Sequence, residues 1–162
     1  MRMTAALFAA ALAFSSSALA QTVQPASFSA EFQRALDRDY GAREGAYLSR
    51  AVERAITAAL ARRGVSDGMG SIEVEIVDAQ PNRPTFQQLS DRPGLSMSSI
   101  SIGGADLRAT IHSADGRTIS VQHDYYSYDL VDASFGAGTW SDAQRSIRSF
   151  ANKVADAYVA SR

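Results

Sequence analysis

Two stretches of the chain repeat apolar residues at every third or fourth position, the spacing of an amphipathic helix. The first follows a break that Gly41 and Gly45 bracket, and its apolar positions are Leu48, Val52, Ala55, Ile56, Ala59 and Leu60. The second lies later in the sequence, at Ala143, Ile147, Phe150, Ala151, Val154 and Tyr158. Gly64 is placed to end the first helix in the left-handed conformation. Residues 139–142 fit a capping box for the second helix, with Asp142 in place of the usual glutamate.

Between the two predicted helices the apolar period changes to two, which indicates strands. In the first run, apolar and acidic residues alternate: Ile72, Glu73, Val74, Glu75 and Ile76. In residues 100–111 the apolar positions change parity at Gly103-Gly104, so we expect a bulge or bend there. A further strand is predicted from Thr118 to about Asp129.

The turn at Asp115-Gly116 allows two registers for the hairpin around it. A two-residue loop would place Ile111 opposite Ser120, which pairs an apolar with a polar side chain. A three-residue loop with Gly116 in the left-handed conformation would place Ile111 opposite Ile119. Burial of one sheet face selects the second register.

Two segments are harder to assign. Residues 28–40 fit a helix by the spacing of Phe28, Phe32 and Leu36, but alternation at Phe28, Ala30 and Phe32 also fits a strand, so both stay open. Residues 78–94 hold three of the four prolines, with Phe86 and Leu89 as their only large apolar side chains. This pattern predicts a long loop that is either functional or ordered by its own apolar groups.

The order of elements predicts an α+β fold, because helix, strands and helix follow one another without a repeated strand-helix-strand rhythm. We expect an antiparallel sheet of three to four strands with two main amphipathic helices packed on one face. Residues 21–162 are long enough to form a single domain around one core.

Residues 1–20 have the features of a secretory signal peptide: Arg2, an apolar run from Ala5 to Phe14, and small residues at Ala18 and Ala20 before Gln21. The apolar run is shorter than the roughly 20 residues of a membrane-spanning helix. Gln21 stands where a lipoprotein would have its acylated cysteine. We therefore expect a periplasmic or secreted protein with no membrane span or lipid anchor.

Composition removes several classes of function. Without the leader, 15 basic and 17 acidic residues give a net charge of −2, and the two signs are interspersed, so we expect no nucleic-acid partner. The absence of cysteine excludes thiolate catalysis and cysteine-bound metals. In the chosen register His112 and His123 point to opposite faces of the hairpin, so we expect no metal site. No cofactor motif is present, and we expect no cofactor.

Catalytic signals are weak. Glu73 and Glu75 share one face of a strand and could approach the spacing of a glycosidase carboxylate pair. Such alternation is also typical of any half-solvated strand. No nucleophile elbow or phosphate-binding loop occurs. We assign no catalytic residues and favour a protein that is not an enzyme; a small hydrolase acting on an envelope polymer is the alternative.

Aromatic residues provide the candidate binding site. Tyr126 and Tyr128 are predicted on the outer face of the last strand, with Trp140 across a glycine-rich segment and Phe86 in the proline-rich one. Tyrosine combines apolar area with a polar tip, which suits sugar- and peptide-binding surfaces. The alternative explanation is that tyrosine is simply a good strand former. On the basis of their aromatic side chains, we predict Tyr126, Tyr128, Trp140 and Phe86 as the binding residues.

Residues 70–86 (GSIEVEIVDAQPNRPTF) and 138–143 (GTWSDA) resemble small exported proteins of unknown function from Gram-negative bacteria. The resemblance implies a periplasmic address and brings no catalytic residues with it. We expect a periplasmic, non-catalytic binding or interaction module of the cell envelope, whose partner is an envelope protein or a glycan.

Overall fold

The computed structural model describes residues 23–65, 70–134 and 138–162. The strands are β1 (Ser27–Phe28), β2 (Ser71–Gln80), β3 (Gly104–His112) and β4 (Thr118–Tyr126). The α-helices are α1 (Ala30–Ala35), α2 (Ala42–Arg62), α3 (Phe86–Asp91), α4 (Leu130–Ser134) and α5 (Ser141–Ala160). A π-helical turn, Leu36–Tyr40, continues α1. The fold is α+β, in agreement with the order of elements that the sequence predicts.

The four strands form one mixed sheet in the order β1-β2-β3-β4. β2, β3 and β4 pair antiparallel, but β1 pairs parallel to β2, with Ser27 opposite Glu75 and Phe28 opposite Ile76. The prediction of an antiparallel sheet is therefore wrong at β1. The reason is the connection: β1 and β2 are joined through helices rather than by a hairpin, and such a crossover brings the second strand in parallel. Within residues 28–40, the chain is extended only at its start and then helical.

The hairpin of β3 and β4 has the predicted register, with Ile111 opposite Ile119 and Gly116 at a φ of +85°. The bulge predicted at Gly103-Gly104 is wrong, because β3 begins at Gly104. The change of parity in the sequence marks the start of the strand, and the residues before it do not belong to β3. The irregularity of the sheet lies instead in β2, between Ile76 and Asp78.

The first long helix begins earlier than the glycine pattern predicts. Gly41, at a φ of +96°, ends the π-helical turn, and α2 starts at the next residue. Gly45 lies inside α2, where a Cβ would come 2.9 Å from Cδ1 of Leu36, so its small size serves packing. Gly64 ends the helix as predicted, with a φ of +72° and the N–H of Val65 donating to the carbonyl of Leu60 (3.1 Å).

Two capping motifs differ from their prediction. The proline-rich segment contains the end of β2 and the helix α3, so its assignment as one long loop is wrong. Thr85 and Gln88 start α3 with a complete capping box, in which each side chain accepts a hydrogen bond from the other residue's backbone N–H. At α5, by contrast, the predicted capping box is absent: Trp140 occupies the cap position and makes no side-chain cap.

The core lies between the inner face of the sheet and the helices. α5 lies across β3 and β4, and α2 packs against α5. The inner face contributes alternate buried residues of β2 and β3: Ile72, Val74, Ile76, Leu107, Ala109 and Ile111. The outer face carries polar and charged side chains such as Glu73, Arg108 and Gln122, all of which are exposed.

Candidate interaction surface

The two long connections of the chain lie at one end of the sheet. β2 and β4 both run antiparallel to β3, so their last residues lie beside the first residue of β3. The connection formed by residues 81–103 begins and ends at this end of the sheet. The connection formed by residues 127–140 begins there and leads to α5. We call the described residues of these connections (81–103, 127–134 and 138–140) the apolar end.

Exposed large apolar side chains are concentrated at the apolar end. Nine such side chains are exposed in the described part of the chain, and Val159 alone of these lies elsewhere. The other eight are Phe86, Leu95, Met97, Ile100, Ile102, Tyr128, Leu130 and Val131. Single exposed apolar residues are ordinary on a protein surface, but a concentration of them at one place is typical of a binding surface.

Asn82 joins both connections to the start of α5. Its side chain is fully buried, and its Nδ2 donates to Oδ2 of Asp142 (2.5 Å), while Oδ1 accepts from the N–H of Asp142 (2.9 Å). The backbone N–H of Asn82 donates to the carbonyl of Thr139 (2.7 Å), and its carbonyl accepts from Ser101 (2.9 Å). A Cβ at Gly103 would collide with the Asn82 amide. These contacts hold the backbone under the exposed apolar side chains in place.

Two of the four predicted binding residues are exposed. Phe86 is the first residue of α3 and is 74% exposed, and Tyr128 is 91% exposed. Neither ring contributes to the core, so both are available for a partner. The short helix that carries Phe86 is fixed by its capping box, and the strand end before Tyr128 is fixed by the N–H of Ser127, which donates to the carbonyl of Gly103 (2.9 Å).

Of the other two predicted residues, Tyr126 is half-buried and Trp140 is buried. The Tyr126 hydroxyl donates to Oδ2 of Asp78 (2.9 Å), and burial together with this carboxylate raises the pKa of the phenol. Trp140 is 3% exposed; its Nε1 donates to Oε2 of Glu44 (2.6 Å) and its ring meets Tyr40 edge to face at 5.7 Å. All four predicted residues thus lie at the same end of the sheet, but Trp140 is buried and the hydroxyl of the half-buried Tyr126 is already bound within the protein.

The sequence pattern does not single out the other six exposed residues of the apolar end: Leu95, Met97, Ile100, Ile102, Leu130 and Val131. It assigns the two isoleucines to a strand, where their alternation would bury them. The available signal is Gly103-Gly104, which ends that alternation and places both isoleucines before β3. Residues 135–137, which include Phe135 and most of the glycine-rich segment, lie outside the described residues.

The histidines lie on opposite faces of the hairpin, as the register predicts. Nε2 of His112 is 3.8 Å from Oε1 of Glu73 on the outer face, and Nδ1 of His123 is 3.0 Å from Nζ of Lys153 on the inner face. Burial, and then the charge of Lys153, lowers the pKa of His123. The lowered pKa favours the neutral imidazole, which can accept a hydrogen bond from the lysine.

Within the part of the chain that the structure describes, no group of three or more His, Asp or Glu side chains is arranged to hold a metal ion. No described helix has both the length and the apolar character needed to cross a membrane. Neither the models of protein families nor the curated proteins include a match to the sequence.

Proposed function

We propose that the mature chain is a non-catalytic interaction module of the bacterial cell envelope and that its apolar end binds an envelope protein. The observation that carries this proposal is the position of eight of the nine exposed large apolar side chains at that end. Removing such side chains from water is the main favourable contribution to most protein association.

The chemistry of these side chains supports a protein partner over a glycan. Six of the eight are aliphatic or methionine: Leu95, Met97, Ile100, Ile102, Leu130 and Val131. A protein surface offers apolar groups that cover such side chains, whereas a sugar offers mainly hydroxyl groups. Phe86 and Tyr128 add aromatic rings, which are enriched in the centres of protein interfaces.

The support beneath the surface favours binding without large rearrangement. The contacts of Asn82 fix both connections against α5. A surface that is ordered before binding loses less conformational entropy when the partner arrives.

The envelope address is supported by the sequence. Residues 1–20 have the features of a cleaved leader and lie outside the described residues. The resemblance of residues 70–86 and 138–143 to small exported proteins of Gram-negative bacteria supports the same address. A periplasmic or secreted protein meets its partners in the envelope.

Site-specific photo-crosslinking tests the proposal. A photoreactive phenylalanine analogue replaces Phe86 or Tyr128 in the full mature chain, and the matched control places it at Gln122, which is exposed on the outer sheet face. We expect a discrete crosslinked protein from periplasmic extract at positions 86 and 128, and none at 122. Equal products at all three positions, or products at 122 alone, would contradict the proposal.

A further inference from the structure

Two neighbouring cavities run along the side of α2. The larger, of about 750 Å³, lies between α2 and α3, and Tyr47, Arg50 and Phe86 are among its lining residues. The second, of about 180 Å³, lies between α2 and α5, and its lining includes Tyr47, Arg54 and Arg148. Tyr47 lines both, so the two cavities lie on either side of this side chain, and we call them together the arginine trough.

One stripe of α2 forms a wall of the trough. Arg43, Tyr47, Arg50 and Arg54 lie at positions i, i+4, i+7 and i+11. At 100° per residue these four side chains leave the helix within a sector of about 60°. From Arg43 to Arg54 the helix rises about 17 Å, the length of about five residues of extended chain. The arginines therefore form a row that an extended segment could follow.

The arginines of the trough lack carboxylate partners, as do Arg34, Arg62 and Arg83 in the described structure. Six other described arginines lie within 4.0 Å of a carboxylate oxygen: Arg38, Arg63, Arg92, Arg108, Arg117 and Arg145. Among the described residues, no carboxylate lies that close to the four exposed arginines of the trough, Arg43, Arg50, Arg54 and Arg148. Glu44 also lines the larger cavity, where its Oε2 accepts a hydrogen bond from the uncharged N–H of Trp140.

The unpaired arginines of the trough destabilise the unbound protein locally. Arg43 lies in the first turn of α2, where the helix dipole is positive and disfavours a cation. The positive row occurs in a chain whose net charge is −1, so it is not the consequence of a generally basic composition. A row of like charges without partners on the protein is complementary to an anionic ligand.

An exposed aromatic ring lies at one end of the trough. Phe86 is 74% exposed, and beside it a small cavity of about 40 Å³ is lined by apolar Pro84 and Met97 and by polar Glu44, Thr85 and Thr139. A ligand that follows the trough therefore meets the Phe86 ring at one end and positive charge beyond it. A carboxylated polysaccharide fits the positive charge but has no apolar group to cover this ring, whereas a polypeptide can supply both.

We propose that the arginine trough binds an extended acidic segment of a partner protein, with an apolar side chain against Phe86 and carboxylates along Arg50, Arg54 and Arg148. This inference rests on the proposed function, because it takes the partner of the apolar end to be a protein. It adds the chemistry of the segment that the partner inserts.

The test measures binding of fluorescent peptides to the full mature chain by anisotropy. The probe has one leucine followed by glutamates at alternate positions, and the matched peptide has glutamine at each of those positions. We expect the glutamate peptide to bind at least about tenfold more tightly, with an affinity that falls as salt rises. Arg50→Glu together with Arg54→Glu should weaken its binding at least roughly tenfold.

Arg34→Glu is the matched control for charge, since Arg34 is exposed on α1 and also lacks a carboxylate partner within 4.0 Å in the described structure. Arg50→Glu and Arg34→Glu change the net charge equally, so equal effects on peptide binding would overturn the inference. Equal binding of the two peptides would also overturn it, as would a carboxylated polysaccharide that competes as well as unlabelled probe.

The experiments distinguish failure of the arginine trough as a peptide-binding site from failure of the apolar end as a protein-binding surface. Crosslinking at Phe86 and Tyr128 that survives Arg50→Glu with Arg54→Glu would refute the trough and leave the apolar end as the binding surface. Peptide binding that depends on the arginines, with crosslinking no stronger than at Gln122, would retain the trough and refute the apolar end. Unchanged melting temperatures show that each variant is folded.

Discussion

Asn82→Ala removes the side chain that joins the two connections of the apolar end to α5. The substitution leaves Asp142, which is 1% exposed, without the amide that its Oδ2 accepts from. It also leaves the backbone N–H of Asp142 without its acceptor. Both groups are buried, so water does not replace the lost partner without a change of structure.

The magnitude follows from these two hydrogen bonds. A buried group left without its partner costs about 1–3 kcal/mol, and more when the group is charged. Arg145 offsets part of the loss, because its Nη1 lies 3.6 Å from the other carboxylate oxygen of Asp142. We therefore expect Asn82→Ala to lower the free energy of unfolding by about 3–5 kcal/mol. That is a large part of the roughly 5–15 kcal/mol of an ordinary domain.

Urea denaturation followed by circular dichroism measures the change, and Asn152→Ala is the matched control. Asn152 lies on the exposed side of α5, and its Oδ1 accepts only long hydrogen bonds from Arg62 and Arg63 (3.3 and 3.4 Å). We expect the control to cost less than about 1 kcal/mol. Asn82→Ala together with Asp142→Ala should cost less than the sum of the two single changes, because the double variant has no unpaired carboxylate.

Losses of similar size for Asn82→Ala and Asn152→Ala would refute this account of the buried pair. A loss of less than about 1 kcal/mol for Asn82→Ala would do the same. If the account is correct, Asn82→Ala should also reduce crosslinking at position 86 in molecules that remain folded, since the backbone beneath Phe86 loses its attachment.

Two further predictions concern the sheet. Ile111→Ala should cost about 2–5 kcal/mol, because the side chain is fully buried, whereas Thr110→Ala on the outer face should cost less than about 1 kcal/mol; comparable losses in urea denaturation would contradict the register. The folded state raises the pKa of Tyr126 above its ordinary value of 10.0, so its contribution to stability is complete below that pH and is lost as the pH rises further. Tyr126→Phe should therefore make the fall in the urea midpoint above pH 10.0 less steep, while Tyr128→Phe, at a side chain that is 91% exposed, should leave it unchanged.

Local patterns predicted the parts of the fold that depend on neighbouring residues. The register of β3 and β4 follows from alternation on both strands and from Gly116, all within one hairpin. The stripe of α5 follows from its own spacing, and each of its six predicted residues is buried. Another register of this hairpin, or another orientation of this helix, would expose an apolar face to water. The pattern therefore allows only one arrangement of each element.

Contacts between distant parts of the chain could not be predicted in the same way. β1 has two residues, and its parallel partner lies 48 positions away, so neither its length nor its period indicates a strand. The helix α3 has a visible signal, Thr85 and Gln88, but prolines on both sides favour a loop at the level of sequence. The proline count led to the prediction of a loop, and the capping-box signal, which indicates the helix, was not used.

The candidate site shows the same division. Aromatic composition selected four residues that the structure places at one end of the sheet, and their role in binding stays a prediction. Which rings are exposed depends on partners that are remote in sequence: Trp140 is buried because Glu44, 96 residues earlier, accepts its N–H, and Tyr126 is bound by Asp78, 48 residues earlier. Phe86 and Tyr128 have no such contact with the residues that the structure describes, and both are exposed.

The parallel strand β1 also has a consequence for the order in which the chain can fold. The antiparallel pairs of β3 and β4 close around a short turn, but β1 pairs only after a segment of more than 40 residues, including α1 and α2, has been traversed. Contacts that close long segments form slowly. Ser27 and Phe28 precede β2 in the chain, so their pairing with Glu75 and Ile76 waits until β2 has formed. The edge of the sheet at β1 is therefore completed only by residues that follow it in the sequence.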